Sequence, residues 1–278
     1  MLGAGLMLAP QLLSAKTKAD AGLQLYTLRE QLPKDVKGVI AKVAEAGYKQ
    51  VEVFGYSKDN GYWGLKPTEF RALLDQHGLT SPSGHYGMDQ FLTDGTTTDL
   101  DDVIAASKTL GHKYVTLPSA GGKFRNTAAD VKALVARMNE AAARIQKAGM
   151  RMGYHNHNFE FTPIEGVPLY TSLLEGTDPK LIDFEMDLFW VVRAGQDPVK
   201  LFESHPGRFT MVHVKDMDKQ NPKINTEVGS GSIDFKQIFA KAKVAGIKYY
   251  IVEQENFSID PYASIKQSCK YLKDVLLA

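Results

Sequence analysis

The stretch Ala143-Arg144-Ile145-Gln146-Lys147-Ala148-Gly149-Met150-Arg151-Met152-Gly153-Tyr154-His155-Asn156-His157 decides the fold. The end of an amphipathic run, Ala128 to Ala148 in full, closes on a glycine. A short apolar run, Met150 to His157, follows at once and finishes in imidazoles and amides. Glycine just past a helix supplies the left-handed position that ends it. Helix, glycine and strand in that order make a parallel βα unit, because each crossover must turn sharply back into the sheet.

Working outward, the same punctuation recurs at Glu45-Ala46-Gly47, Gln76-His77-Gly78, Thr109-Leu110-Gly111 and Val244-Ala245-Gly246. Strands are expected at Gly22–Thr27, Gln50–Phe54, Leu79–His85, Lys113–Leu117, Met150–His157, Leu181–Asp187, Phe209–Lys215 and Lys248–Glu253. Helices are expected near Lys34–Ala46, Thr68–His77, Leu100–Leu110, Ala128–Ala148, Pro168–Glu175, Pro198–Glu203, Phe235–Ala245 and Pro261–Leu276. The strands are almost continuously apolar, as buried parallel strands require. Eight such units in 278 residues suit a closed (β/α)8 barrel, which needs about 250. An open doubly wound sheet would place a Gly-rich phosphate turn after its first strand. Here Tyr26-Thr27-Leu28-Arg29-Glu30-Gln31-Leu32 follows, without glycine. No linker or composition shift interrupts residues 21–278, so the expectation is one α/β domain.

Composition bounds the function. The chain is 44% hydrophobic and 23% charged, ordinary for a globular protein able to bury a large core. A net charge of +1 gives no global field for nucleic acid or an anionic membrane. The single Cys269 rules out an intrachain disulfide and reads as a packed helix residue. Residues 1–20 differ from the rest. Met1 to Leu13 is apolar, rich in glycine and alanine, and too short to span a bilayer. It reads as the remnant of an export signal without its basic start, or as an unstructured extension. The first reading places the protein in the periplasm or outside the cell, the second in the cytoplasm. Neither gives the mature chain a membrane span.

In a barrel, chemistry sits at the carboxyl ends of the strands. The first four strands end in Tyr26, Glu52, His85 and Pro118-Ser119. The last four end in Tyr154-His155-Asn156-His157-Asn158-Phe159-Glu160, Asp183-Phe184-Glu185-Met186-Asp187, His213-Val214-Lys215-Asp216 and Glu253-Gln254-Glu255. Carboxylates and imidazoles are rarely buried without partners. Four consecutive strands ending in them call for a divalent cation. Oxygen-rich donors with imidazole suit Mn, Mg, Co or Zn. Without thiolates, a structural zinc site is not expected.

The order of a carboxylate or histidine on strand five, Asp on six, His on seven and Glu on eight resembles the sugar phosphate isomerase/epimerase superfamily of xylose-isomerase-like TIM barrels. Tyr154–Phe161, Glu185–Trp190, His213–Asp216, Val228–Phe235 and Ile251–Gln254 carry the resemblance, which spans about residues 22–276. It implies Asp187, His213 and Glu253 as metal ligands. Members with epimerase activity carry a ligating Glu inside strand five, which this chain lacks. Either Glu160 is the fourth ligand, or an imidazole from His155 or His157 replaces it. Glu160 ranks first.

The implied reaction is proton transfer at a carbon next to a carbonyl, through an enediolate. The metal acts as Lewis acid and template. Return of the proton to the opposite face gives an epimer, and return to the neighbouring carbon an isomer. Glu253 and Glu160 are the candidate bases, with His157 as substitute. Lys215, Glu52, His85 and His155 are candidate partners for substrate oxygens. Tyr26 and Trp190 are candidate platforms for a sugar ring. Asp183 and Glu185 read as structural, through a junction or a pair with Lys180. Gly229-Ser230-Gly231 resembles a backbone nest for an anion. His77, His112 and His205 carry no assigned role. The expected partner is a small sugar or keto-sugar. Two alternatives stay open on the same fold: a keto-glycoside lyase or hydrolase using the same metal, and a non-catalytic sugar-binding barrel. A zinc-cluster endonuclease of this barrel type would demand a basic groove, which the charge balance disfavours.

Overall fold

The computed structural model describes residues 19–278. The leader expected over residues 1–20 therefore lies, apart from Ala19 and Asp20, outside the described residues. Eight parallel strands close into a barrel in sequential order. They are β1 (Ala21–Gln24), β2 (Gln50–Val53), β3 (Thr80–His85), β4 (Tyr114–Leu117), β5 (Arg151–His155), β6 (Ile182–Asp187), β7 (Phe209–Val214) and β8 (Tyr249–Val252). All eight expected strands are present, most of them trimmed at one or both ends. The first loses its expected end, because Leu25–Leu28 turns into a 3-10 helix capped by the Gln24 side chain. Met150–His157 shrinks to Arg151–His155, which frees His157 from strand geometry.

The helices form the outer layer, and their starts explain themselves. Asp35, Thr127, Asp197, Asp234 and Asp260 each accept a hydrogen bond from a first-turn amide. Such a cap is worth about 1 kcal/mol each. Pro198 and Pro261 occupy first-turn positions, where the missing N–H costs nothing. Gly149 takes φ 85°, the left-handed geometry read from sequence. The helix expected at Phe235–Ala245 is split into Phe235–Phe239 and Ala242–Ala245. Two short helices, Asp89–Asp94 and Leu188–Arg193, were not anticipated. No helix among the described residues is long and apolar enough to cross a membrane.

Outward strand residues such as Leu23, Val51, Val115, Tyr154 and Phe184 pack against the helices. Cys269 joins that core on the last long helix. The barrel interior is more polar. Gln24, Glu52, Ser83, Thr116, His155, Glu185 and His213 are all buried there. Space inside is tight. A Cβ on Gly153 would lie 2.4 Å from Thr116 Oγ1 and 3.0 Å from Met211 Cε, so only glycine fits beside them. At the amino end of the barrel, Arg151 holds Asp183 in a two-pronged ion pair at 2.7 and 2.8 Å. Asp183 is structural, as expected, but its partner is Arg151 rather than Lys180.

The loop after β7 is pinned by one side chain. Asp216 is buried and accepts from the amides of Met217, Gly229, Gly231 and Ile233 at 2.8–3.1 Å. The Gly-Ser-Gly nest therefore holds an anion, but that anion is the chain's own carboxylate. A Cβ on Gly231 would lie 2.2 Å from Asp216 Oδ1. Asp216→Ala strands four buried donors at once. It is expected to destabilise the fold by about 3 kcal/mol, measured by urea unfolding. A change within error would remove Asp216 as the anchor of this loop.

Candidate functional site

The functional end is built by register. Asp187 on β6 lies beside His213 on β7, and His155 on β5 beside Glu185 on β6. Four of the donors expected from the strand ends converge. One ligand atom from each of His155, Asp187, His213 and Glu253 lies within 4.8 Å of the others, and all four residues are buried. Each donor is aimed by a neighbour. His155 Nδ1 sits 3.1 Å from the carbonyl of Pro118, which fixes the proton there and turns the Nε2 lone pair toward the group. His213 Nε2 sits 2.7 Å from Glu52, leaving Nδ1 facing Glu253 at 3.1 Å and Asp187 at 3.9 Å. Asp187 Oδ1 accepts from the amide of Trp190, so Oδ2 faces inward. His155 Nε2 and Asp187 Oδ2 are 3.5 Å apart, buried, and without any hydrogen-bond partner. Two orphaned atoms with lone pairs, converging in a buried place, fit a cation. The donor set of two imidazoles and two carboxylates suits a divalent ion.

Glu160 is not part of this group. Its carboxylate accepts from the Tyr154 hydroxyl at 3.0 Å and from the amide of His157 at 2.8 Å. The 3-10 turn Phe159–Phe161 folds it back behind β5, away from the strand mouth. There burial pushes its pKa up to about 7. The imidazole of His155 stands where the carboxylate was ranked first.

A second group lies one layer deeper. Glu52, His85, Glu185 and His213 bring one ligand atom each within 4.8 Å of the others. His85 Nε2 reaches Glu185 at 2.7 Å and Glu52 at 3.2 Å. Gln24 donates to Glu52 at 2.7 Å. Glu185 is thus in the site network and not in a helix–strand junction. Its signal was in the sequence: Asp183, Glu185 and Asp187 alternate along one strand, so all three face the barrel axis. Burial and the nearby Glu52 push Glu185 up to about 7, while His85 and His213 overcome burial and hold Glu52 well below the usual carboxylate range.

Lys215 provides the positive charge. It is 1% exposed, donates to Glu253 at 3.0 Å and to Glu255, and lies 3.7 Å from Asp187. Burial opposes its charge, but Glu253, Asp187 and Glu255 overcome that and raise its pKa. Glu253, bonded directly by His213 and Lys215, is held well below its ordinary value despite burial. Asp187 receives no side-chain hydrogen bond from these cations, and burial leaves it raised.

A cavity of about 440 Å³ opens above this floor, a size that suits a small-molecule site. Tyr26, Phe54 and Trp190 give aromatic walls, and His85, His155, His157, Glu253 and Glu255 polar ones. Phe54 was not singled out from sequence. It stacks edge-on between Tyr26 and Trp63. His157 is packed on Phe159 and Trp190, and burial pushes its pKa down to about 3. Its Nδ1 is buried and unpartnered. Of the residues expected to hold substrate oxygens, His85 and His155 line the cavity. Glu52 lies beneath it and Lys215 behind Glu253.

The hold of Glu52 on His213 has a measurable consequence. Glu52→Gln keeps the shape but removes the charge that fixes the imidazole. Cation affinity is expected to fall 10–100-fold, read by calorimetric titration with Co2+ on folded protein. Unchanged affinity would mean that Glu52 does not orient His213.

Comparison with known proteins agrees with this architecture. The inosose dehydratase of Geobacillus kaustophilus is 26% identical over 271 residues, covering 84% of this chain and 85% of that one. The inosose dehydratase of Clostridium beijerinckii is 23% identical over 272 residues, covering 84% and 88%. Among solved structures, a sugar phosphate isomerase/epimerase from Parabacteroides distasonis superposes with a TM-score of 0.82 at 28% identity, covering 98% of this chain and all of that one. These relatives are named as enzymes. The family model for xylose isomerase-like TIM barrels matches residues 40–275, and the chain belongs to that family.

Proposed function

We propose that the protein removes a proton from the carbon next to the carbonyl of a small sugar or cyclitol ketone and returns it, as an isomerase or epimerase. The observation that carries the reading is the pair of orphaned lone pairs, His155 Nε2 and Asp187 Oδ2, buried behind the cavity that His155 and Glu253 line. Together with His213 and Glu253 they would hold one divalent cation. When bound, such an ion supplies Lewis acidity to the substrate carbonyl and offsets the charge that develops there.

The chain's own residues do the rest. Glu253 lines the cavity and is kept ionised by Lys215 and His213. It is an available proton acceptor, but a weak base, so the carbon acid must be activated strongly. His157 lines the cavity, and burial favours its neutral imidazole, with Nδ1 buried and unpartnered. Its ring is placed to bond a substrate oxygen, while the proton returns from Glu253. His85 holds a second oxygen from the opposite rim. Tyr26, Phe54 and Trp190 cover the C–H faces of a ring and exclude water from the reacting carbon. Exclusion of water matters because it strengthens every electrostatic interaction within.

A second reading shares the first step. After proton removal, the electron pair forms a C=C bond to the next carbon and breaks its C–O bond. The proton taken by Glu253 passes to the departing oxygen, releasing water from a β-hydroxy ketone or an alcohol from a keto-glycoside. The dehydratases among the relatives, aligned over most of both chains, favour this outcome. The non-catalytic alternative is disfavoured, because His155 completes a four-donor set without the strand-five glutamate.

The test is incubation of metal-loaded protein in D2O with ketoses, inososes and 3-keto-glycosides, followed by NMR. Deuterium is expected at the carbon next to the carbonyl. An epimer or isomer supports the first outcome, and an unsaturated product the second. Glu253→Gln is expected to lower the rate of exchange by about 10²–10⁴. Absence of both exchange and an unsaturated product with every carbonyl substrate would sink both readings.

A further inference from the structure

We propose that His155 makes the cation site selective for a borderline transition-metal ion, Zn2+ or Co2+, over Mg2+ and Mn2+. The inference rests on the cation site of the proposed function and deepens it by naming the class of ion.

The donor inventory is the first ground. His155 Nε2 and His213 Nδ1 supply two nitrogens, and Asp187 and Glu253 one oxygen each. Imidazole favours ions late in the divalent series, whereas carboxylate, carbonyl and water favour Mg2+ and Mn2+. Mg2+ also gives up its hydration reluctantly and is bound chiefly through carboxylates.

The second ground is preorganisation. His155 is 3% exposed. Its Nδ1 is committed to the carbonyl of Pro118, and its Nε2 has no partner. A histidine held this way offers a lone pair and no proton. The strand-five donor is therefore already aimed as a nitrogen ligand, with little left to order on binding.

The third ground is charge. Lys215 Nζ lies 3.0 Å from Glu253 and 3.7 Å from Asp187. That one ammonium, which Glu255 also shares, offsets part of the negative charge of the two ligating carboxylates. A hard ion held mainly by electrostatics gains less from that floor than one that forms strong bonds to nitrogen. A carboxylate at position 155 would restore the missing negative charge and an oxygen donor at the same time.

Two measurements on the full chain test this. Competitive titration is expected to give Zn2+ and Co2+ at least 100-fold tighter binding than Mg2+ or Mn2+. In His155→Glu the gap is expected to shrink at least tenfold, with fold checked by circular dichroism. The second measurement needs no variant. Proton NMR of the Co2+-loaded wild type is expected to show two exchangeable, strongly shifted imidazole N–H signals, from His155 Nδ1 and His213 Nε2. A single such signal, or equal or tighter binding of Mg2+ or Mn2+, overturns the inference and leaves the proposed reaction standing. If no divalent ion binds at all, the inference falls and the reading of the cation site falls with it.

Discussion

Four carboxylates, Glu52, Glu185, Asp187 and Glu253, are buried in the mouth and upper interior of the barrel. A carboxylate buried alone costs several kcal/mol even after the protein relaxes. Each must meet a cation, a proton or a cluster of donors. The chain answers with His85, His213 and Lys215 and with the amide of Gln24, and it leaves His155 Nε2 and Asp187 Oδ2 facing each other without a partner. Most of what distinguishes this barrel follows from that constraint. Strands β2, β3, β5, β6 and β7 each give up an interior position that packing would fill with an aliphatic side chain, and Glu253 directly follows β8.

His213 links the two layers of this network. One ring nitrogen is occupied by Glu52 below, and the other faces Glu253 and Asp187 above. The deeper layer therefore sets the direction of a donor in the upper one. His85 stacks on the same ring at 5.4 Å and bridges Glu52 to Glu185, while also lining the cavity. The substrate space and the hidden layer thus share one residue, His85. Lys215 plays the corresponding part on the other side, bridging Asp187, Glu253 and Glu255 beneath the aromatic face of Trp190.

The fold was almost fully legible because its signals are local. Apolar runs, capping aspartates and terminal glycines each act within a few residues. Asp187, His213 and Glu253 were legible for a related reason: they sit at strand ends, where register alone brings them together. The fourth donor was not. Glu160 has the right chemistry, but it lies five residues past the end of β5, where alternation no longer predicts direction. A 3-10 turn then carries it back to Tyr154. His155, the last residue of the strand, keeps strand geometry and points inward. Glu185 was misread because its role depends on Glu52 and His85, far away in sequence. The nest at Gly229-Ser230-Gly231 was read correctly as anion-binding, yet its anion, Asp216, came from a neighbouring turn.

The measurement that tests this account most directly is an anomalous difference map from crystals loaded with cobalt. The account predicts one strong peak per chain, within coordination distance of His155, Asp187, His213 and Glu253, with Glu160 still bonded to Tyr154. A peak elsewhere, or a fully loaded crystal in which His155 Nε2 and Asp187 Oδ2 remain without a shared ion, would contradict it.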